Sequence, residues 1–225
     1  MSLKLQSGET ILFIGDSITD CGRMNAERPL GNGYVKQFRD LLVMREPAKR
    51  VAIVNKGISG HTIVDLRNRW TDDVLREKPD WLSIKIGIND LHRTLANTPQ
   101  AVPAKMFAQV YDDILARTRK ALPKCRILLI DPFYISTDRA AALRRPESSA
   151  GAGSFRAQVL DVLPQYLATV HRMSRKYRTR LVQTHAIYQK LLKFQAPDLF
   201  CGEPVHPNLT GHLVIAEAVY EELSR

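Results

Sequence analysis

Five short runs dominated by apolar residues, at 11–14, 51–54, 81–86, 126–130 and 180–182, alternate with longer stretches of helical periodicity. The first of them, Ile11-Leu12-Phe13-Ile14, has no polar residue to place on a solvent face. A strand of that kind is buried on both sides. Parallel strands supply that environment, because the helical crossovers that connect them cover both faces of the sheet. The stretches between the runs fit those crossovers. Tyr34, Phe38, Leu41 and Leu42 recur at helical spacing, and Pro47 ends that helix. Thr62 with Asp65 three residues on reads as a capping box opening a helix through Leu66 and Trp70 to Leu75. Pro103 suits the first turn of a helix running through Phe107, Val110, Ile114 and Leu115 to Leu122. A pattern over 155–176 follows, in which Pro164 is expected to kink or break the helix. Residues 186–192 read as helical, and 209–223 form a last helix with Ile215, Ala216, Val219 and Leu223 inward. Crossovers between parallel strands are right-handed. The expectation is one three-layer αβα domain over residues 1–225, with a five-stranded parallel sheet and helices on both faces.

Composition narrows the setting. No apolar run approaches the eighteen or so residues of a membrane span. The first residues, Met1 to Gly8, lack the apolar core of a signal peptide. Cys21, Cys125 and Cys201 are odd in number and scattered, with no metal-binding spacing, and read as free thiols in a reducing compartment. A cytoplasmic protein is expected, with no membrane partner. The net charge of +10 raises the question of nucleic acid. Its densest run, Arg172 to Arg180, falls at a helix end just before a strand, where basic residues complement the dipole. No helix combines basic and aromatic residues on one face, so a solvated basic surface without a nucleic-acid partner is the expectation. The segment 136–154, with Gly151 and Gly153, reads as a long loop: a lid, a binding segment or a tolerated surface insertion.

The polar residues that stand out lie where strands end. The first strand runs into Gly15-Asp16-Ser17; the second into Asn55-Lys56-Gly57-Ile58-Ser59-Gly60; the third into Gly87-Ile88-Asn89-Asp90. In an open α/β sheet, ligands bind outside the carboxyl ends of the strands. A serine hydroxyl is a weak nucleophile until a base takes its proton, and His206 is the candidate base. Glu203, three residues upstream, is placed to hold the other imidazole nitrogen. An oxyanion needs preplaced donors. The backbone N–H groups of Ser17 and Gly60 and the side-chain amide of Asn89 offer three, and loss of one such donor typically costs about 100- to 1,000-fold in rate. Glycine at 60 would keep a side chain away from the reacting carbonyl. Each residue also has a plainer reading. Ser17 or Thr19 would cap a helix, Asn89 would form an Asx-turn, Gly60 and His206 would be turn residues, and Asp90 would bond backbone locally. Taken together, Ser, Gly, Asn and His at the ends of the right elements favour the catalytic reading.

With those four blocks in place, Gly15-Asp16-Ser17, Asn55 to Gly60, Gly87 to Asp90 and Val205-His206-Pro207-Asn208, the chain resembles the SGNH (GDSL-type) hydrolases over nearly its whole length. Within that family, Ile14 to Arg23, Lys78-Pro79-Asp80-Trp81 and Pro132-Phe133-Tyr134-Ile135 look like bacterial intracellular acetylxylan esterases, which remove acetyl groups from xylo-oligosaccharides. The resemblance implies a flavodoxin-like sheet, Ser17 as nucleophile, His206 as base, and Ser17, Gly60 and Asn89 as oxyanion hole. It implies a small acylated substrate such as an acetylated sugar, a homo-oligomer, and no metal or organic cofactor. One departure stands out. The family has Asp three residues before the histidine, and this chain has the longer Glu203, followed by the stiff Pro204. Gln183 stands where the family often has Asp. The sequence thus implies a serine esterase. A lysophospholipase or thioesterase on the same scaffold, and a weakly active or non-catalytic binding homologue, are the alternatives.

Overall fold

The computed structural model describes residues 2–25, 27–136 and 152–225. Most of the long loop expected at 136–154 lies outside the described residues. Strands β1 (Thr10–Gly15), β2 (Ala52–Gly57), β3 (Trp81–Lys85), β4 (Arg126–Ile130) and β5 (Arg180–Val182) pair in the order 2-1-3-4-5, all parallel. This is the flavodoxin-like order, and its switch point lies between β1 and β3. Every residue of β3 is buried, and so is β1 from Ile11 onward. Helices α1 (Ser17–Asp20), α2 (Tyr34–Arg45), α3 (Ile63–Trp70), α4 (Ile88–Leu95), α5 (Ala104–Ala121), α6 (Ala152–Tyr177), α7 (Thr184–Leu191) and α8 (Leu209–Ser224) connect and cover the sheet. Helix α2 packs on α8, while α3, α5 and α6 form a second row. Trp70 fixes that row by donating its indole N–H to Thr118 Oγ1 at 3.0 Å.

The capping box at Thr62 and Asp65 is present, and the inward residues of the last helix are those expected. Four local features refine the sequence reading. The cap of α1 is Asp16, whose side chain accepts from the Ile18 N–H at 3.0 Å, and not Ser17 or Thr19. A carboxylate one residue upstream satisfies the helix end and leaves the Ser17 hydroxyl unused by backbone. Asn89 lies within a helix, α4, and not in an Asx-turn; Ile88, Leu91 and Leu95 stand at helical spacing in that short run, a signal the sequence reading did not use. Of the two outcomes expected at Pro164, the break does not occur: it sits inside α6, which continues past it. The Asp90 carboxylate bonds its own backbone amide, as read from the sequence, and reaches further: its Oδ1 accepts from the Ile63 N–H at 2.9 Å and so ties the first turn of α4 to the first turn of α3.

The basic run closes α6, with Arg175 and Lys176 in its last turn. Lys176 pairs with Asp112 at 2.6 Å and Arg180 donates to the Glu222 carbonyl at 2.6 Å. Cys21, Cys125 and Cys201 are free thiols. Among the described residues no helix is long and apolar enough to cross a membrane.

Burial raises the Asp90 carboxyl from 3.8 to about 8, against the opposing hydrogen bond from Ile63. The unfolded chain therefore loses this proton first as pH rises, and the group costs stability progressively between about pH 4 and pH 8. Asp90→Asn keeps an oxygen for the Ile63 N–H and removes the titration. Urea midpoints measured across that window should fall less steeply with pH in the variant than in the parent protein; an unchanged slope would contradict the assignment.

Candidate active site

Strand β1 delivers the chain to its carboxyl end through Gly15, where a Cβ would lie 2.3 Å from the Lys85 carbonyl oxygen. The backbone turns at Asp16, and Ser17 opens α1. Ser17 Oγ lies 2.9 Å from His206 Nε2 although 189 residues separate them. The histidine is held by what surrounds it. Asn208 caps α8 by accepting from the Gly211 N–H at 3.0 Å, and its amide donates to the Leu199 carbonyl at 3.1 Å. The Ile135 N–H donates to the Pro204 carbonyl at 2.9 Å, which fixes the other side of the loop.

Glu203 reaches the imidazole. Its Oε1 bonds His206 Nδ1 and also accepts from the His206 N–H at 2.8 Å; its Oε2 accepts from the Val205 N–H at 2.8 Å. The extra methylene is accommodated because the side chain folds back over its own loop and docks on two backbone amides. Partial burial favours the neutral carboxyl, but the hydrogen bonds from His206, Val205 and the His206 amide outweigh it and bring Glu203 down to about 2. The Glu203 hydrogen bond in turn holds His206 above the ordinary imidazole range, more strongly than burial lowers it. With an acceptor at Nδ1, that nitrogen carries the hydrogen, and Nε2 is left to accept from the Ser17 hydroxyl.

The turn after β2 lies beside this series, because the Ile58 N–H donates to the Gly15 carbonyl at 3.0 Å. Asp20 accepts from Ser59 Oγ at 2.7 Å. Asn89 donates its amide to the His61 carbonyl at 3.0 Å, and Arg93 donates to the Gly60 carbonyl at 2.6 Å. Among the described residues, the N–H groups of Ser17 and Gly60 have no hydrogen-bond acceptor. Gly60 has φ +80°, and a Cβ there would approach only Arg93, at 3.9 Å. The visible requirement for glycine is therefore the left-handed backbone and not crowding by protein atoms.

Arg69 was not among the residues expected at this site. Its guanidinium donates to the carbonyls of Lys56 at 2.7 Å and Gly15 at 3.2 Å, to Asp73 at 2.7 Å and to His61 Nδ1 at 3.2 Å. It thereby joins the ends of β1 and β2 to the turn carrying Gly60. A basic residue in the last turn of a helix usually signals only dipole complementation, so its role here was not visible in the sequence.

A serine, an imidazole and a carboxylate in hydrogen-bonded series at the carboxyl rim of a parallel sheet form the arrangement of a serine hydrolase. Known proteins agree. The model of the GDSL-like lipase/acylhydrolase family matches residues 13–214, and the chain belongs to that family. It is 36% identical to an acetylxylan esterase of Geobacillus stearothermophilus over 232 residues, which cover 98% of this chain and 96% of that enzyme. The crystal structure of that species' acetylxylan esterase superposes with a TM-score of 0.84 at 35% identity, covering 99% of this chain and 97% of the other. An α/β hydrolase from the metagenome of Lake Arreo superposes with a TM-score of 0.82 at 28% identity, covering 99% and 98%. The protein is a carboxylic ester hydrolase with the SGNH hydrolase fold.

The Glu203–His206 bond has a direct spectroscopic consequence. In Glu203→Gln the anionic partner is lost, and the His206 imidazole should titrate at lower pH than in the parent protein, as read from its ring resonances. An imidazole that titrates at the same pH in both would show that the carboxylate does not act on it.

Proposed function

We propose that this single-domain enzyme removes acetyl groups from xylo-oligosaccharides or closely related sugars through a covalent acyl-enzyme. Ser17 Oγ attacks the ester carbonyl while His206 Nε2 takes its proton. Glu203 holds the imidazole in the working tautomer and balances its positive charge. The N–H groups of Ser17 and Gly60 and the Asn89 amide receive the oxyanion. His206 then returns the proton to the departing sugar oxygen, and water, activated by the same imidazole, releases acetate. The observation that carries this reading is the unbroken hydrogen-bonded series from Ser17 through His206 to Glu203. It also favours catalysis over the alternative of a non-catalytic homologue, since the longer Glu203 still reaches the imidazole.

The acetyl-sugar assignment draws on the Geobacillus relative and on the surroundings of the site. A cleft of about 400 Å³ beside Glu203 is lined by Ser136, Arg156 and Asp198 together with Pro197 and Pro204. Such walls suit a hydroxylated leaving group better than an alkyl chain. The reading includes a cytoplasmic location and a homo-oligomer. Unpaired thiols fit a reducing compartment. Exposed Val43 and Met44 on α2 and Leu209 and Leu213 on α8 offer apolar surface to a second copy.

Ser17→Ala should abolish release of acetate from acetylated xylo-oligosaccharides and from a chromogenic acetate ester, with an unchanged melting temperature. Retained turnover would remove Ser17 from the mechanism. Asn89→Ala should lower kcat by about 100- to 1,000-fold with KM little changed. Across a series of acyl chains, rates should fall from acetyl to octanoyl; a rise would replace this reading with a lipolytic one.

A further inference from the structure

Lys85 ends the central strand with its side chain fully buried. Nothing in a strand buried on both faces calls for a lysine. Among the described residues its ammonium has no hydrogen-bond partner, and it lies over the Phe133 ring, 4.7 Å from the centroid. The carboxylate paired with it is Asp16, with Oδ2 at 3.9 Å; that oxygen also lacks a hydrogen bond, and that side chain too is fully buried. Two buried charges that close no hydrogen bond between them are a poor way to gain stability. Their position suggests another use. Asp16 is the residue before Ser17 and caps the helix that Ser17 opens.

Taking His206 as the base of the proposed reaction, we propose that Lys85 is a positioning residue of the catalytic site. Its ammonium balances Asp16 behind the Ser17 turn and keeps the imidazole free to take the Ser17 proton. The charged groups around His206 support this. Glu203 on its own loop and Asp16 beneath the serine strengthen its hold on a proton, and Lys85 opposes them. His92 on α4 and His212 on α8 are held below the ordinary imidazole range, chiefly by burial, and each senses His206. Around Lys85 itself stand Asp16, Asp131 after β4, the Cys21 thiol and His212. Asp131 is occupied by His171 at 2.9 Å and Thr184 at 2.7 Å, which leaves Asp16 as the carboxylate with an oxygen free to face the ammonium. Without Lys85, the Asp16 charge acts on the imidazole unopposed, and the base stays protonated to higher pH.

The test compares full-length parent, Lys85→Met, Asp16→Asn and the double variant, in the pH dependence of kcat/KM on a chromogenic acetate ester and in the ring titration of His206. Asparagine at 16 retains the capping oxygen. Lys85→Met should move the acidic limb and the ring titration to higher pH by about half a unit or more. Asp16→Asn should move both to lower pH, and the double variant should return both to within about 0.2 unit of the parent. If Lys85→Met does not fold, the Asp16→Asn and double-variant comparison decides the matter alone. Limbs that coincide in the parent and the single variants that fold would overturn the proposal. So would a double variant displaced as far as Lys85→Met or, where that variant does not fold, as far as Asp16→Asn. The ring titration keeps this separate from the reaction mechanism: if Ser17→Ala retained turnover, the mechanism would fail, while the titration would still report whether Lys85 acts on His206.

Discussion

The carboxyl rim of this sheet depends on two close backbone approaches. Gly15 pairs with Gly57 on one side and with Lys85 on the other. A Cβ at Gly15 would lie 2.3 Å from the Lys85 carbonyl oxygen, and one at Gly57 would lie 2.3 Å from the Asp20 amide. Without side chains at these positions, α1 can sit directly on the ends of β1 and β2. Ser17 then stands at the switch point, with the Gly60 turn beside it. Arg69 completes the junction by drawing the carbonyls of Gly15 and Lys56 onto one guanidinium. The site is therefore carried by backbone packed against backbone, which leaves less freedom than side-chain contacts on loops.

On that frame the carboxylate at 203 solves a geometric problem with hydrogen bonds. A longer acid loses more rotamer freedom when it is held in one place. Two backbone amides and the imidazole together fix it. The same contacts orient the His206 imidazole and strengthen its hold on a proton, which in the proposed reaction stabilises the base once charged but reduces the fraction ready to act at neutral pH. A buried cation behind the serine works against that cost. The arrangement sets the base by opposing fields rather than by its immediate partner alone.

Much of this was legible in the amino-acid order. The apolar runs located the five strands, Thr62 and Asp65 marked a helix start, and the four blocks around Ser17, Gly60, Asn89 and His206 named the rim residues. The unread features share a cause. Helix α4 is only eight residues long, so its Ile88, Leu91 and Leu95 spacing is easily passed over, and the bonds of its Asp90 and Asn89 to segments distant in sequence are not visible locally. Asp16 displaced Ser17 as the cap because either residue type caps well, and only the fold decides which oxygen meets the amide. Arg69 looks like an ordinary surface cation in a chain rich in them, and Lys85 is a lone cation in a run otherwise read as a strand. What distinguishes them is burial, which depends on how distant segments close over them.

Burial also separates the two rims. At the carboxyl rim, Asp16 Oδ2, Asp20 Oδ1, Lys85 Nζ, Asp90 Oδ2 and His92 Nε2 are buried without a hydrogen-bond partner among the described residues. At the opposite rim, a basic cleft of about 430 Å³ beneath Trp81 has Arg126 paired with Glu9, Arg180 with Glu222, and Arg119 donating to the Cys125 and Tyr177 carbonyls. Helices α5 and α6 also end there, and their carbonyl ends favour cations over a bound anion. Arg119, Arg126 and Arg180 at that rim are thus held by protein partners, and the helix ends account for basic residues there. The carboxyl rim leaves polar groups unpaired in one small region, an arrangement that costs stability and has a physical rationale only where a reaction uses the field they create.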